Sequence, residues 1–345
     1  MSIGVIDFFS GCGGTSCGFR SAGMQILAGL DIDLDSGATF QANFPAADFL
    51  LGDIRSTDTD ALAPIMMKVP PSMPVLFSGC APCQPFSKQN ANKRHDDPRR
   101  NLLSEFLRFI KAWQPHYVFV ENVPGLQKPA KLGPLAQFVR SLRNCGYSVT
   151  YSVVPALWFG VPQKRERLIL LAYREGKASL PEPTHGPGRI PATTVRDWIG
   201  GLRTIMAGES DPNDPDHQAA RLSLTNLERI KYTAEGSGRE AWPLSLQLAC
   251  HRHHAGHSDV YGRLAWDKPA AGLTTRCISY SNGRFGHPEQ NRAISLREAA
   301  CLQTFPPEYV FRGSLRSKAR QVGNAVPPLL AEVFGRHILK EAEAT

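Results

Sequence analysis

The cysteines of residues 78–87 are the residues best suited to chemistry in this chain. The same ten-residue stretch contains two cysteines, two prolines and a glycine. It follows the apolar residues 75–77, which predict a buried strand. Proline fixes φ and lacks an amide donor, so the stretch predicts a stiff loop at the end of that strand. Ligands bind at that edge of an open α/β sheet. The loop carries a thiol at Cys83, directly after Pro82, and this thiol is a candidate nucleophile.

The spacing of Cys80 and Cys83 is open to three other interpretations. Half of a zinc site would need a second cysteine pair of matching spacing, but Cys12 and Cys17 lie five apart. A redox pair would be expected in a thioredoxin-like context, which is missing here. Inert buried thiols are the usual fate of free cysteines. The stretch alone leaves the role of Cys83 open.

A glycine-rich turn and three strand-end acids predict a cofactor pocket. Residues 3–9 predict a strand, and residues 10–19 a turn that opens a helix. The spacing is not that of a pyrophosphate-binding loop, and a tight strand–helix connection is the alternative. Asp7, Asp31 and Asp53 each fall at the end of a predicted strand. Asp31 is placed to bind ribose hydroxyls, or else to cap the next helix.

Charged residues follow two further predicted strands. Glu121 comes directly after residues 116–120, where a carboxylate either caps a helix or faces a catalytic cleft. Arg165 and Arg167 alternate with Glu166, which predicts that both arginines share one face of a strand. A solvated edge strand would carry the same charges.

Two segments are basic or rich in histidine. Residues 87–100 predict either a solvated loop or a lid that closes on a phosphate backbone. His253 and His257 could share a helical face, but no carboxylate in register supports a metal site, and we expect none. Residues 276–279 predict a strand, and Ser295 with Glu298 a helix-capping box.

Composition bounds the class of protein. The 345 residues are 42% hydrophobic and 20% charged, which are globular values, and carry a net charge of +8. The positive charge is compatible with a polyanionic partner. The chain goes from Met1 and Ser2 directly into a predicted strand, and no apolar run reaches the length of a bilayer span. We therefore expect a cytoplasmic protein with reduced thiols and no membrane partner.

Seven motifs, in order, resemble the cytosine-C5 DNA methyltransferase family of the prokaryotic type, whether part of a restriction–modification system or solitary. They are residues 7–14, 52–54, 82–87, 121–123, 163–167, 297–306 and 323–327. The resemblance implies an α/β, Rossmann-like, S-adenosylmethionine-dependent methyltransferase fold with a mixed, mostly parallel sheet, plus a smaller irregular target-recognition domain. The expected domains are 1–183 for catalysis and cofactor binding, 184–295 for target recognition, and 296–345 for the hinge and the return to the large domain.

The resemblance implies S-adenosylmethionine as cofactor and S-adenosylhomocysteine as product. Phe9 would pack on the adenine, residues 10–14 would hold the methionine part, and Asp31 would bind the ribose, where the family more often has Glu. Asp53 and Ile54 would bracket the adenine. The full set of expected cofactor residues is Asp7, Phe9, Ser10, Gly11, Cys12, Gly13, Gly14, Asp31, Ile32, Asp53, Ile54, Pro82, Asn324 and Val326.

The resemblance also assigns the catalytic residues. Cys83 would attack C6 of a cytosine flipped out of duplex DNA, and Glu121 would act at N3. Arg167 would contact the base carbonyl, and Arg165 would support Glu121 or the phosphates. The expected DNA-binding residues are Gln84, Ser87, Lys88, Arg94 and Arg99. The enzyme would act as a monomer at the nucleoid, without an obligatory protein partner and with room for a cognate restriction endonuclease.

Two alternatives stay open at this level. A tRNA cytosine-C5 methyltransferase of the same fold would carry a Cys-Phe-Thr signature, which this sequence lacks. A non-catalytic nucleic-acid-binding relative would have lost the nucleophile or the acid, yet Cys83 and Glu121 are both present. An adenine or cytosine-N4 methyltransferase would replace the Pro82-Cys83 loop with an Asp/Asn-Pro-Pro-Tyr type motif.

Overall fold

A computed structural model describes residues 2–82, 102–127, 133–249 and 259–344. The chain divides into two compact units. The first comprises residues 1–159, 166–183 and 325–345, and the second comprises residues 160–165 and 184–324. The segment 296–345, predicted to contain the hinge and the return to the large domain, spans both units, and the division falls between residues 324 and 325.

From residue 4 to residue 155 the strands and helices alternate along the chain, as in an α/β protein. The strands are β1 (Gly4–Phe8), β2 (Gln25–Asp31), β3 (Asp48–Leu51), β4 (Val75–Gly79), β5 (Tyr117–Asn122), β6 (Ser148–Pro155), β7 (Gln163–Lys164), β8 (Glu166–Tyr173), β9 (Ser210–Asp211), β10 (Asp214–Gln218) and β11 (Ala270–Ala271). The helices are α1 (Gly14–Ser21), α2 (Leu34–Asn43), α3 (Ala63–Met66), α4 (Leu102–Trp113), α5 (Pro134–Asn144), α6 (Val195–Ile199), α7 (Leu224–Lys231), α8 (Leu296–Leu302), α9 (Leu315–Asn324) and α10 (Pro328–Ala344). In the described part of the chain, no helix is both long and apolar enough to cross a membrane.

The first unit is built on a seven-stranded sheet with the order β3-β2-β1-β4-β5-β8-β6. β8 is antiparallel to β5 and β6, and the other pairings are parallel. Every residue of β1 and β4 is buried, as expected of central strands covered on both faces. The predicted mixed, mostly parallel sheet is therefore confirmed. The carboxyl ends of β1, β4 and β5 meet at one edge, where a ligand site is expected.

Aromatic packing holds helix α4 against the centre of this sheet. The ring of Phe8 on β1 lies 5.0 to 5.1 Å, between centroids, from the rings of Phe77, Phe106 and Phe109. These distances and the tilted arrangement are those of favourable aromatic pairs. The rings thus fix the position of the strand that leads into the glycine-rich turn.

The second unit has little regular structure, and side chains satisfy much of its backbone. Arg263 is buried and donates hydrogen bonds to the carbonyl oxygens of Ile230, Thr233, His287 and Gln290. Buried carbonyl groups outside helices and sheets need such partners, so a single guanidinium organises several loop segments here.

Two predicted features of the second unit have different outcomes. The capping box is confirmed, since Ser295 accepts from the amide of Glu298 while Glu298 accepts from the amide of Ser295. The predicted strand 276–279 is wrong, because these residues form a turn that leads into a short 3₁₀ helix. The sequence pattern of these four residues does not distinguish a short turn from a strand.

The close approach of α1 and α10 gives a test of the packing in the first unit. A Cβ added at Gly18 would overlap the carbonyl oxygen of Pro328 and lie 2.6 Å from the Cβ of Ala331. Gly18→Ala is therefore expected to lower the free energy of unfolding by about 1–3 kcal/mol. Urea denaturation measures the change. Gly201→Ala is the matched control, because its added methyl would meet nothing within 4 Å. Equal stability of the two variants would contradict this packing of α1 on α10.

Candidate active site

The chain leaves β1 through a turn of unusual backbone conformation. Phe9 has φ 56°, Gly11 has φ 53° and Gly13, the residue that caps α1, has φ 87°. The left-handed region costs a residue with a Cβ about 1–2 kcal/mol, so the strain at Phe9 marks a site where function outweighs local preference. The glycines allow the backbone to reverse and to present the amides of α1 toward a ligand.

Asp31 supports this turn from the end of β2. Its Oδ2 accepts a hydrogen bond from the amide of Gly11 at 2.8 Å, and its Oδ1 accepts from the amide of Asp33 at 2.9 Å. Asp33, not Asp31, caps helix α2 by accepting from the amide of Ser36. The carboxylate of Asp31 keeps further lone pairs. Burial raises the pKa of this carboxyl above its ordinary value.

Asp7 lies deeper than the sequence suggests, within β1 and fully buried. Its Oδ2 accepts from the hydroxyl of Ser16 at 2.7 Å, while no described residue forms a well-aligned hydrogen bond with its Oδ1. Ser78, its partner across the β1–β4 pairing, is near enough to lower the pKa somewhat. Burial dominates and raises the pKa of Asp7 to about 6.

The turn has open space beside its backbone and a buried hydroxyl group that could bond to a ligand. The hydroxyl of Ser10 is buried and has no hydrogen-bond partner among the described residues. A Cβ added at Gly11 would meet nothing within 4 Å, so the backbone there borders open space. At Gly14, by contrast, an added Cβ would lie 2.5 Å from the carbonyl oxygen of Val326. Gly14 and Val326 therefore touch, which places Val326 beside the turn, whereas Asn324 ends α9 in the second unit.

Four other predicted cofactor residues differ in exposure. Ile32 is 65% exposed next to Asp31, so its apolar side chain is accessible to a ligand. Ile54 is buried in the core of the first unit, so only its backbone could face a ligand. The carboxylate of Asp53, just beyond β3, pairs with the guanidinium of Arg55, which lowers the pKa of Asp53. Cys12 is buried, and burial raises the pKa of its thiol.

Glu121 and Arg167 form the charged pair of the site. Glu121 lies inside β5 rather than after it, because the strand extends to Asn122, so that part of the prediction is wrong. Glu121 pairs with Ile169 in the antiparallel register, which makes Arg167 its diagonal neighbour on the same face. Arg167 Nε lies 2.6 Å from Glu121 Oε1, and the two side chains are 14% and 10% exposed. That Oε1 atom has no aligned hydrogen bond among the described residues and can accept one.

Arg165 does not share this face. It lies outside a strand, between β7 and β8, and belongs to the second unit, so the predicted common strand face of Arg165 and Arg167 is wrong. Its Nη1 donates to the carbonyl of Leu273 at 3.2 Å. The neighbouring Gln163 explains the break, since its buried amide bonds to Leu302 and Leu273 and holds this segment within the second unit.

The segment before the candidate nucleophile is held by three elements. A Cβ at Gly79 would overlap the ring of Phe106, so this end of β4 packs directly on α4. The thiol of Cys80 lies 3.5 Å from the hydroxyl of Thr15 on α1. The carbonyl of Ala81 accepts from the side-chain amide of Asn122 at 3.2 Å. Pro82, the last described residue here, is exposed.

The predicted nucleophile and DNA-binding residues lie outside the described residues, and their roles stay predictions. They are Cys83, Gln84, Ser87, Lys88, Arg94 and Arg99.

The sequence did not reveal the roles of three residues that hold other parts of the structure in place. Ser16 and Asn122 each use a buried side chain to hold another part of the site, and the buried side chain of Gln163 holds the segment of Arg165 within the second unit. Asn122 and Gln163 stand inside motifs of the family pattern, so their positions were visible, but a polar residue beside a charged one gives no sign of its partner. Ser16 lies nine residues from Asp7 and carried no signal.

Known proteins match this chain over nearly its whole length. The model of a family described as C-5 cytosine-specific DNA methylase matches residues 3–340. Type II methylase M.HgiDII of Herpetosiphon aurantiacus is 41% identical over 98% of this chain and 96% of its own. Type II methyltransferase M1.HphI of Haemophilus parahaemolyticus is 35% identical over 99% of this chain and 87% of its own.

Solved structures extend the likeness to the fold. A prophage-encoded protein of Escherichia coli described as a DNA modification methyltransferase superposes with a TM-score of 0.78 at 22% identity, over 99% of both chains. The Dnmt2 methyltransferase of Schizosaccharomyces pombe superposes with a TM-score of 0.64 at 18% identity, over 100% of this chain and 99% of its own. At these identities the likeness establishes the fold alone.

The pKa of Asp7 predicts a dependence of stability on pH. Burial raises this pKa to about 6 from the ordinary 3.8, so at intermediate pH the folded state holds a proton that the unfolded state has lost. The contribution of Asp7 to the free energy of unfolding should therefore fall by about 3 kcal/mol as pH rises through that window, and change no further above it. Asp7→Asn should lose this fall.

Urea denaturation of the wild type and variant at several pH values between about 4 and 8 measures the effect. Asp60→Asn, at an exposed position, is the control and should keep the wild-type profile. Parallel profiles for the wild type and Asp7→Asn would show that Asp7 does not cause the dependence.

Proposed function

Since this chain belongs to the C-5 cytosine-specific DNA methylase family and is a DNA (cytosine-5)-methyltransferase, we propose that it adds Cys83 to C6 of a cytosine flipped out of duplex DNA and methylates C5 with S-adenosylmethionine. The Type II names of its relatives support a place in the modification half of a restriction–modification system.

The observation that carries the mechanism is the Glu121–Arg167 pair. It lies at the same sheet edge as the glycine-rich turn and the Ala81-Pro82 segment, because β1, β4 and β5 are parallel. An acid and a cation therefore stand beside the segment that leads to the candidate thiol. A cofactor pocket, a nucleophile and an acid at one edge are what C5 methylation requires.

The residue types match the electron flow. The thiolate of Cys83 forms a bond to C6, the C5–C6 π bond opens, and C5 becomes nucleophilic as an enamine. Glu121, protonated or sharing a proton with N3, neutralises the charge that accumulates on that nitrogen. Arg167 holds Glu121 in place and contacts the base carbonyl. After methylation a base removes the C5 proton, the π bond reforms, and Cys83 leaves.

The residues of the turn fit S-adenosylmethionine. The Ser10 hydroxyl, which has no partner among the described residues, and the open side of Gly11 suit the polar methionine part. Asp31 has lone pairs for the ribose hydroxyls. The exposed Ile32 suits an apolar ring face. When bound, this cofactor supplies an electrophilic methyl group on a positively charged sulfur and leaves as S-adenosylhomocysteine.

The remaining roles follow the family pattern. The basic residues after Ser87 would close over duplex DNA, and the second unit would contain the target-recognition region. We expect the enzyme to act as a monomer in the cytoplasm. None of these roles requires a metal ion.

Covalent trapping tests the mechanism. Fluorine at C5 cannot leave as a proton does, so duplex DNA with 5-fluorocytosine and S-adenosylmethionine should give a protein band of reduced mobility on a denaturing gel. Cys83→Ser should abolish this band. A band on tRNA but not on diverse genomic DNA would redirect the proposal to tRNA, and no band on either would contradict it.

Glu121→Gln tests the acid. The amide keeps the shape but cannot transfer a proton to N3, so the methylation rate should fall roughly 10²- to 10⁴-fold. Single-turnover methylation of duplex DNA measures the rate. Glu105→Gln removes the carboxylate of another arginine pair, with Arg108 on α4, and should leave the rate unchanged. Equal effects of the two variants would contradict a specific role of Glu121.

A further inference from the structure

We infer that Asn122 is a positioning residue for the nucleophile: its side-chain amide fixes the Ala81–Pro82 peptide plane and thereby the starting point of Cys83. This inference rests on the proposed function, which makes Cys83 the nucleophile.

Asn122 occupies a fixed place at the end of β5. It is 2% exposed and pairs with Leu168 across the antiparallel register with β8. Its Oδ1 accepts from the amide of Val123 at 2.7 Å. That contact determines which way round the side-chain amide lies, because only an oxygen can accept there, and it leaves Nδ2 to donate to the carbonyl of Ala81 at 3.2 Å.

The hydrogen bond falls at a chemically sensitive place. The carbonyl of Ala81 belongs to the peptide unit that joins it to Pro82, and this unit is planar. Fixing the oxygen therefore fixes the orientation of the whole unit, including the proline nitrogen. The proline ring then sets φ near −65°. One soft torsion, ψ of Pro82, separates the held plane from Cys83.

The two preceding residues are anchored independently of Asn122. Gly79 packs on the ring of Phe106, and the Cys80 thiol lies against the hydroxyl of Thr15. The amide of Cys80 also donates to the carbonyl of Phe8 at 3.4 Å. Loss of the Asn122 contact should thus leave the end of β4 in place and release the peptide plane that follows it.

Asn122 also ties the nucleophile to the acid. It directly follows Glu121 on β5, so one strand carries the candidate acid and the group that orients the nucleophile segment. Reacting groups must be held within a fraction of an ångström, and a misplacement of about 1 Å costs roughly 100-fold in rate.

Asn122→Asp is the most informative variant. It keeps the size of the side chain and an oxygen for the amide of Val123, but its ionised carboxylate cannot donate to the Ala81 carbonyl. We expect the rate of covalent trapping on 5-fluorocytosine DNA to fall roughly 10- to 100-fold near neutral pH, with the dissociation constant for S-adenosylmethionine within about 2-fold of the wild type.

The pH profile separates positioning from a general structural defect. A protonated carboxyl group regains an O–H donor, so the ratio of wild-type to Asn122→Asp trapping rates should shrink as pH is lowered. The wild type carries the same neighbouring titratable groups, Asp7, Cys80, Glu121 and Arg167, and the ratio removes their shared contribution. A ratio that does not change with pH would overturn the inference.

Asn43→Asp is the matched control. Asn43 also donates through Nδ2 to a backbone carbonyl, that of Thr39 at 2.8 Å, but on helix α2 away from the nucleophile segment. Its trapping rate should equal that of the wild type at every pH. If the wild type traps DNA and Asn122→Asp traps it equally fast, the result contradicts this inference but not the proposed function. A wild type that forms no adduct would contradict the proposed function and, with it, the inference.

Discussion

The antiparallel pairing of β8 with β5 is the constraint on which the site depends. It is this register that makes Arg167 a diagonal neighbour of Glu121 and brings Nε within 2.6 Å of the carboxylate. A largely buried carboxylate is costly unless a cation accompanies it. The antiparallel strand β8 therefore allows Glu121 to lie at this edge of the sheet, because it places Arg167 beside the carboxylate. A fully parallel sheet would supply no residue from a strand that runs in the opposite direction.

The parallel strands supply the other half of the arrangement. β1, β4 and β5 end at one edge, and each continues into a different functional segment. The turn after β1 is strained at Phe9 and supported by Asp31, while the segment after β4 is held by Thr15 and Asn122. Neighbouring strands thus share supports. A change at one segment is transmitted to the next through single hydrogen bonds, each worth about 1 kcal/mol or somewhat more.

Carboxyl groups follow different rules according to their partners. Among the described residues Asp7 has a hydroxyl partner but no cation, and burial raises its pKa to about 6. Asp53 meets a guanidinium near the surface, and its pKa is lowered. In the second unit, Arg292 pairs with the buried Glu298, and this cation lowers the pKa of Glu298 despite its burial. The partner of a carboxyl group, more than its burial, therefore determines the direction in which its pKa is shifted.

The sequence by itself determined the family through its motifs, and the family resemblance implied the mixed and mostly parallel sheet. The capping box at Ser295 followed from the short spacing of its two residues. Only the tertiary structure decided that Glu121 lies within a strand, that Arg165 leaves the strand face of Arg167, and that Asn122 reaches Ala81. The physical reason is that these features depend on register and on contacts between residues far apart in sequence. A residue's type and its near neighbours carry no information about such partners.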